Sequence, residues 1–129
     1  YLEGGKKSYH TIIPGFLLKD GEAVGPFGVM GAFMQPQGQV EVLTSTIDYA
    51  MNPQEALDAP RIQWIGGKKL QIEREAGEAI AEQLRAMGHE VEIVDDRTAM
   101  GRGEIIWKCE NDVYAAGTEP RCDGTVASW

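Results

Sequence analysis

A glycine-spaced turn that feeds a long amphipathic helix constrains this chain more than any other feature in it. The stretch Gly28-Val-Met-Gly-Ala-Phe-Met-Gln-Pro-Gln-Gly38 runs directly into Val40-Glu-Val-Leu-Thr-Ser-Thr-Ile-Asp-Tyr-Ala-Met51. Gly28, Gly31 and Gly38 free the backbone where a side chain would crowd it. Pro36 sits where a helix begins, so its missing N–H costs nothing. Val40, Leu43, Ile47 and Ala50 then recur at three- and four-residue steps, which predicts one apolar helical stripe. A glycine turn before a helix presents unpaired N–H groups that can hold a developing negative charge. Spacing alone equally describes a turn that packs and does no chemistry, the commoner outcome for such a pattern.

The rest of the composition narrows the function classes. A chain of 129 residues reads as one domain, 1–129, with room for a core. With 43% hydrophobic and 25% charged residues it has ordinary globular composition, which argues against disorder. Twelve Lys and Arg against twenty Asp and Glu give a net charge of −8, which disfavours a nucleic-acid partner. The apolar runs fall short of the roughly 20 residues a membrane span needs, and no secretory signal is read, so a cytoplasmic setting is expected. Any leader would lie upstream of Tyr1, where a start without Met suggests a cut chain or a fragment. Cys109 and Cys122 are expected to be buried, reduced residues rather than a disulfide. Neither they nor His10 and His89 have metal-ligand spacing, and no cofactor is implied.

Taken in order, Tyr9–Ile13 predicts a strand that Pro14-Gly15 interrupts and Phe16–Lys19 resumes. Asp20-Gly21 predicts a hairpin, whose return strand passes through Gly25 and Pro26 with irregular pairing. Asn52 is placed to cap a short helix with Pro53 at its first position, and Pro60 ends it. Strands are predicted at Arg61–Ile65, Leu70–Glu73, Glu90–Val94, Glu104–Cys109 and Val113–Gly117. A further helix is predicted from about Gly77 to Met87, with Ala76, Ile80, Leu84 and Met87 inward and Gly88 as its left-handed stop. Long helices among about seven short strands give an α+β or layered sheet-and-helix fold.

Conventional catalytic patterns are thin. Neither a phosphate-cradling loop nor Gly-x-Ser-x-Gly is present. Asp95-Asp96 reads as solvated carboxylates. Arg102, between Gly101 and Gly103, reads as an exposed turn residue or an anion ligand. Ser8 and Thr11 have no activating base nearby in sequence. The residues thus describe a globular domain with a backbone-donor turn and no nucleophile.

The order of segments nevertheless resembles the C-terminal, small-subunit part of the γ-glutamyltranspeptidase family, among the N-terminal-nucleophile hydrolases. Gly5-Lys-Lys-Ser-Tyr-His-Thr-Ile-Ile-Pro14 is similar to that family's Gly-Lys-Arg-Pro-Leu-Ser-Ser-Met-Ser-Pro, and Lys19-Asp-Gly follows at the expected distance. Gly28-Val-Met-Gly-Ala32 resembles the Gly-Ser-Pro-Gly-Gly turn. Ile47 through Ala59-Pro-Arg61 resembles the family's helix-loop-helix, and Ala86-Met-Gly-His-Glu-Val91, Ala99-Met-Gly101 and Glu119-Pro-Arg121 fit as well.

The resemblance implies a share of an αββα four-layer sandwich, mainly antiparallel, from an autocleaving amidohydrolase or acyltransferase. Its substrate would be a small γ-glutamyl or acyl amide such as glutathione, attacked by a threonine that lies upstream of this chain. It further implies Gly31 and Ala32 as the oxyanion-hole pair and His10 and Thr11 as substrate contacts. The chain departs from the family's Gly-Gly at Ala32 and from its Ser-Ser pair at His10-Thr11, which puts substrate identity in question. His10 is equally readable as a packed strand imidazole. Arg61 and Arg121 are expected to tie loops together through carboxylate or carbonyl contacts. By itself the chain is expected to be inactive and to oligomerise or stay bound to the missing half. The competing readings are a non-catalytic assembly module and a related acylase with another substrate.

Overall fold

A computed structural model describes all of residues 1–129. Seven strands and three α-helices follow in the order β1 (Gly15–Lys19), β2 (Glu22–Met30), α1 (Met34–Ile47), α2 (Pro53–Asp58), β3 (Ile62–Gly66), β4 (Lys69–Glu73), α3 (Glu78–Ala86), β5 (Glu90–Val94), β6 (Arg102–Lys108) and β7 (Tyr114–Thr118). The strands form two sheets. One is antiparallel with order β1-β2-β6-β7; the other has order β3-β4-β5, and β4 runs parallel to β5. The mixed, mainly antiparallel α+β architecture is the one expected.

Local chemistry accounts for the connections. Asp20 and Gly21 both have positive φ, 54° and 84°, as the tight β1–β2 hairpin requires. Asn52 accepts from the N–H groups of Gln54 and Glu55 while Glu55 bonds back to the Asn52 N–H, a complete capping box with Pro53 behind it. A bulge at Leu17/Leu18 and a φ of 154° at Gly25 make the β1–β2 pairing irregular.

The core lies between the four-stranded sheet and the pair α1 and α2. Phe27 and Val29 of β2 and Ile105 and Trp107 of β6 point inward, where Val42, Ala56 and Leu57 meet them. Their alternation along each strand leaves Met30, Arg102 and Ile106 on the other face, which this chain leaves open.

The fold departs from four expectations. The buried side of α1 is Met34, Gly38 and Val42, not Val40, Ile47 and Ala50. Gly38 sets that rotation: a Cβ there would sit 2.6 Å from a methyl of Val29, so the helix lies directly on β2. On α3, Ala81 is the buried contact, while Ile80 and Met87 are exposed. Tyr9–Ile13 forms no strand; its carbonyls are held by glutamine side chains of α1 instead of a ladder. Cys109 and Cys122 are free thiols, as expected, but exposed rather than buried, since Cys109 follows the last residue of β6 and Cys122 lies beyond β7.

Candidate active site

The site is built on the turn between β2 and α1. Val29 is anchored in the core, and Gly31, at φ 142°, turns the chain out of the strand. Gly31 faces Gly101 so closely that a Cβ on it would lie 3.0 Å from the Gly101 Cα. A Cβ on Gly101 would in turn meet the Met30 carbonyl oxygen at 2.7 Å. Two backbones therefore pass where no side chain fits. Ala32 takes the left-handed conformation at φ 51°, which an L-residue adopts at a cost of about 1 kcal/mol. The Gly31 and Ala32 carbonyls accept from the N–H groups of Met34 (2.9 Å) and Gln35 (3.1 Å), which fixes the peptide planes on either side of Ala32, the first of which carries the Ala32 N–H.

The amide N–H groups of Gly31 and Ala32 donate no hydrogen bond within the chain. Neither does Phe33 cap the helix with a side chain, and the first turn of α1 carries no acid. The positive end of the helix dipole is thus left uncompensated beside two free donors.

Residues 9–13 lie across this turn. Gln35 donates to the Thr11 carbonyl at 2.8 Å, and Gln39, one helical turn on, donates to that of Ile13. Both glutamines are on one face of α1 and act as a clamp. His10 and Thr11 are exposed and, with Gly31 and Ala32, line a single cleft of about 530 Å³. The four residues singled out in the sequence therefore line one cleft, although residues 12–30 separate the two pairs. Arg102 is a strand residue opposite Met30, not a turn residue, and lines a neighbouring groove with Glu104.

Behind the turn is a buried charge network. Arg61, 2% exposed, donates to the carbonyls of Met100 and Gly101, both at 3.0 Å, and to Glu119 at 2.8 Å. Glu119 also accepts from the Gly103 N–H at 2.7 Å. Arg121 bonds Glu73 at 2.5 Å, Glu119 at 2.7 Å and the carbonyls of Leu57 and Ala59. Burial, together with the Arg121 charge, lowers Arg61 from the usual arginine range. For Arg121 burial acts the same way, but the Glu73 and Glu119 carboxylates outweigh it and raise the guanidinium. Both arginines thus tie loops as expected, and Arg61 holds the very glycine against which Gly31 packs.

The sequence offered Glu119 only as part of Glu119-Pro-Arg121, without a role, and gave no sign of Glu73. Glu73 and Glu119 stand in no motif with each other, and only the fold brings them together. The sequence did not single out Glu41 either, whose Oε1 accepts from the Ile62 N–H at 2.9 Å while Oε2 is shut off from solvent without a partner. Burial raises its pKa to about 7. Asp95 and Asp96 are more than solvated acids: Asp95 pairs with Arg74 and Asp96 accepts from Thr98, and these hydrogen bonds hold both below the usual carboxylate range.

The model of the gamma-glutamyltranspeptidase family matches residues 1–129. The chain belongs to that family. Among its relatives, the glutathione hydrolase-like YwrD proenzyme of Bacillus subtilis is 33% identical over 133 residues, 97% of this chain and 25% of that protein. The oxamate amidohydrolase proenzyme of Klebsiella pneumoniae is 31% identical over 136 residues, 99% of this chain and 25% of that protein. The crystal structure of cephalosporin acylase from Bacillus halodurans is 55% identical, with a TM-score of 0.91 over 99% of this chain and 24% of that one. The chain therefore spans about a quarter of the length of these family members and has the fold of an N-terminal-nucleophile hydrolase.

Proposed function

We propose that this chain is the oxyanion-hole side of an autocleaving amidohydrolase or acyltransferase whose nucleophile, a threonine, lies elsewhere in the parent protein. The observation that carries the reading is the pair of unpartnered N–H groups at Gly31 and Ala32, two residues that line the cleft at the head of α1. When a hydroxyl attacks an amide carbonyl, negative charge gathers on the carbonyl oxygen. Donors already held in place stabilise that charge without reorganising. Removal of one such donor typically costs about a hundredfold or more in kcat.

In the proposed cycle the threonine hydroxyl adds to the carbonyl carbon and its proton passes to the threonine's own α-amino group. The amide C–N bond then breaks and the amine leaves with that proton. Water, or an acceptor amine, adds to the resulting ester, restoring the hydroxyl and releasing the acyl product. Throughout, Gly31 and Ala32 hold the oxygen, Gln35 and Gln39 hold the arm carrying His10 and Thr11, and Arg61 keeps Gly101 behind Gly31. His10 and Thr11 are the proposed substrate contacts, and the rest of the parent protein is the proposed partner.

Expression of the parent protein tests this. The expected products are two chains, the smaller beginning with threonine, and hydrolysis of an acyl amide. A protein that stays in one piece and turns over no amide contradicts it.

A further inference from the structure

Resting on the oxyanion-hole reading, we propose that Glu41 is a positioning residue for the Gly31–Ala32 turn, holding it while the carboxyl is protonated and releasing it on ionisation. The contacts behind this lie wholly inside the chain. α1 is fastened along two flanks by polar side chains. Gln35 and Gln39 hold the arm on one flank. On the other, Gln37 accepts from the Trp64 N–H at 2.6 Å and donates to the Trp64 carbonyl at 3.2 Å. One turn further on, Glu41 Oε1 accepts from the Ile62 N–H at 2.9 Å. Of these four side chains Glu41 is the one that ionises. Ile62 follows Arg61, whose guanidinium holds the Met100 and Gly101 carbonyls, and Gly101 backs Gly31. Glu41 therefore bears on the turn by two routes, along α1 to its head and across Ile62 and Arg61 to Gly101.

The second carboxyl oxygen sets which form fits. Oε2 is enclosed and has no partner within the chain. The charged groups that face Glu41 are Arg61 before β3, Arg121 in the tail and Glu73 at the end of β4. Both guanidinium groups are engaged elsewhere. Arg61 bonds Glu119 and two carbonyls, and Arg121 bonds Glu73, Glu119 and the carbonyls of Leu57 and Ala59. Two arginines already face two carboxylates, so an ionised Glu41 is a third buried carboxylate without a counter-ion. Burial is accordingly the largest influence on Glu41 and raises its pKa to about 7. Protonated, Glu41 keeps Oε1 on the Ile62 N–H, and an enclosed hydroxyl is less costly than an enclosed charge. Ionised, it draws water into the seam between α1 and β3, and the turn loses both supports.

The experiment follows kcat/KM of the processed full-length protein on an acyl anilide between about pH 6 and 9, beside Glu41→Gln and Glu41→Ala. The α-amino group of the threonine titrates on the acid side in all three proteins, so the alkaline limb is the readout. The parent is expected to fall about fivefold or more above neutrality. Glu41→Gln, which keeps a neutral acceptor for Ile62, is expected to lack that fall, and Glu41→Ala to run low at every pH. An alkaline limb shared by the parent and Glu41→Gln, or none in the parent, overturns the proposal and leaves the amidohydrolase reading standing. Hydrogen exchange supplies a readout that needs no turnover. With the intrinsic pH dependence removed, the Ile62 and Met34 amides are expected to lose protection together on the alkaline side in the parent and to keep it in Glu41→Gln. Equal protection in the two proteins overturns the proposal. Absence of turnover at every pH overturns the amidohydrolase reading instead.

Discussion

At Glu41 a single carboxyl group records how α1 is seated. Its Oε1 terminates the free edge of β3, while its Oε2 is enclosed and unpartnered. Burial is the leading cause of its raised pKa; the Ile62 N–H, Arg61 and Arg121 pull the other way, and Glu73 adds to the rise. The folded value, about 7, lies above the ordinary 4.5, so the folded state binds the proton more tightly than the unfolded chain. The stabilisation is complete below about 4.5 and is lost as pH rises through about 7. Glu41→Gln keeps an oxygen for the Ile62 N–H and removes the charge. Melting curves between pH 5 and 8 are expected to fall for the parent protein and to flatten for the variant, which gains up to about 3 kcal/mol at the alkaline end. Parallel curves for the two proteins would show that Glu41 does not titrate in this range.

At the scale of elements, α1 is the hub. Met34, Gly38 and Val42 seat it on the sheet, Gln35 and Gln39 clamp the arm, and Gln37 and Glu41 bond the edge of β3. The Arg61 network does the same service for the loop before β6. Arg61→Ala frees the carbonyls of Met100 and Gly101 and leaves Arg121 as the one guanidinium between Glu73 and Glu119, an excess buried negative charge that costs about 3–5 kcal/mol. Urea denaturation of the parent protein is expected to register that loss, and Glu119→Gln added to Arg61→Ala is expected to recover part of it. A loss below about 1 kcal/mol would assign the network no structural weight.

How much of this was legible follows from how local each signal is. Asp20-Gly21 and Asn52-Pro53 are complete within a few residues, so turn and capping box follow from the sequence directly. Which side of α1 is buried depends on Val29 lying under Gly38, a contact between elements that no periodicity contains. The arm at Tyr9–Ile13 has strand composition, yet its hydrogen bonds go to side chains of α1, which only the fold brings within reach. Family resemblance named Gly31, Ala32, His10 and Thr11 together, and it included Glu119 in Glu119-Pro-Arg121 without a role, whereas Glu73 and Glu41 stood in no pattern.

At the scale of the molecule, only 21 of 129 residues are buried, and the open face of the four-stranded sheet carries Phe16, Leu18 and Ile106. An apolar sheet face and unpaired edge strands recruit partners. The isolated chain is therefore expected to self-associate at micromolar concentration, as sedimentation velocity would register, and to gain a monomer-like state only when the rest of the parent covers that face. A single ideal monomer species would count against this.

One crystal structure decides whether the Gly31 and Ala32 amides hold the oxyanion. The processed parent protein is trapped with an inhibitor that forms a tetrahedral adduct on its nucleophile. The adduct oxygen is expected within about 2.7–3.1 Å of both the Gly31 and the Ala32 nitrogen. An adduct oxygen bonded elsewhere, with those two amides still unpartnered, would contradict that role.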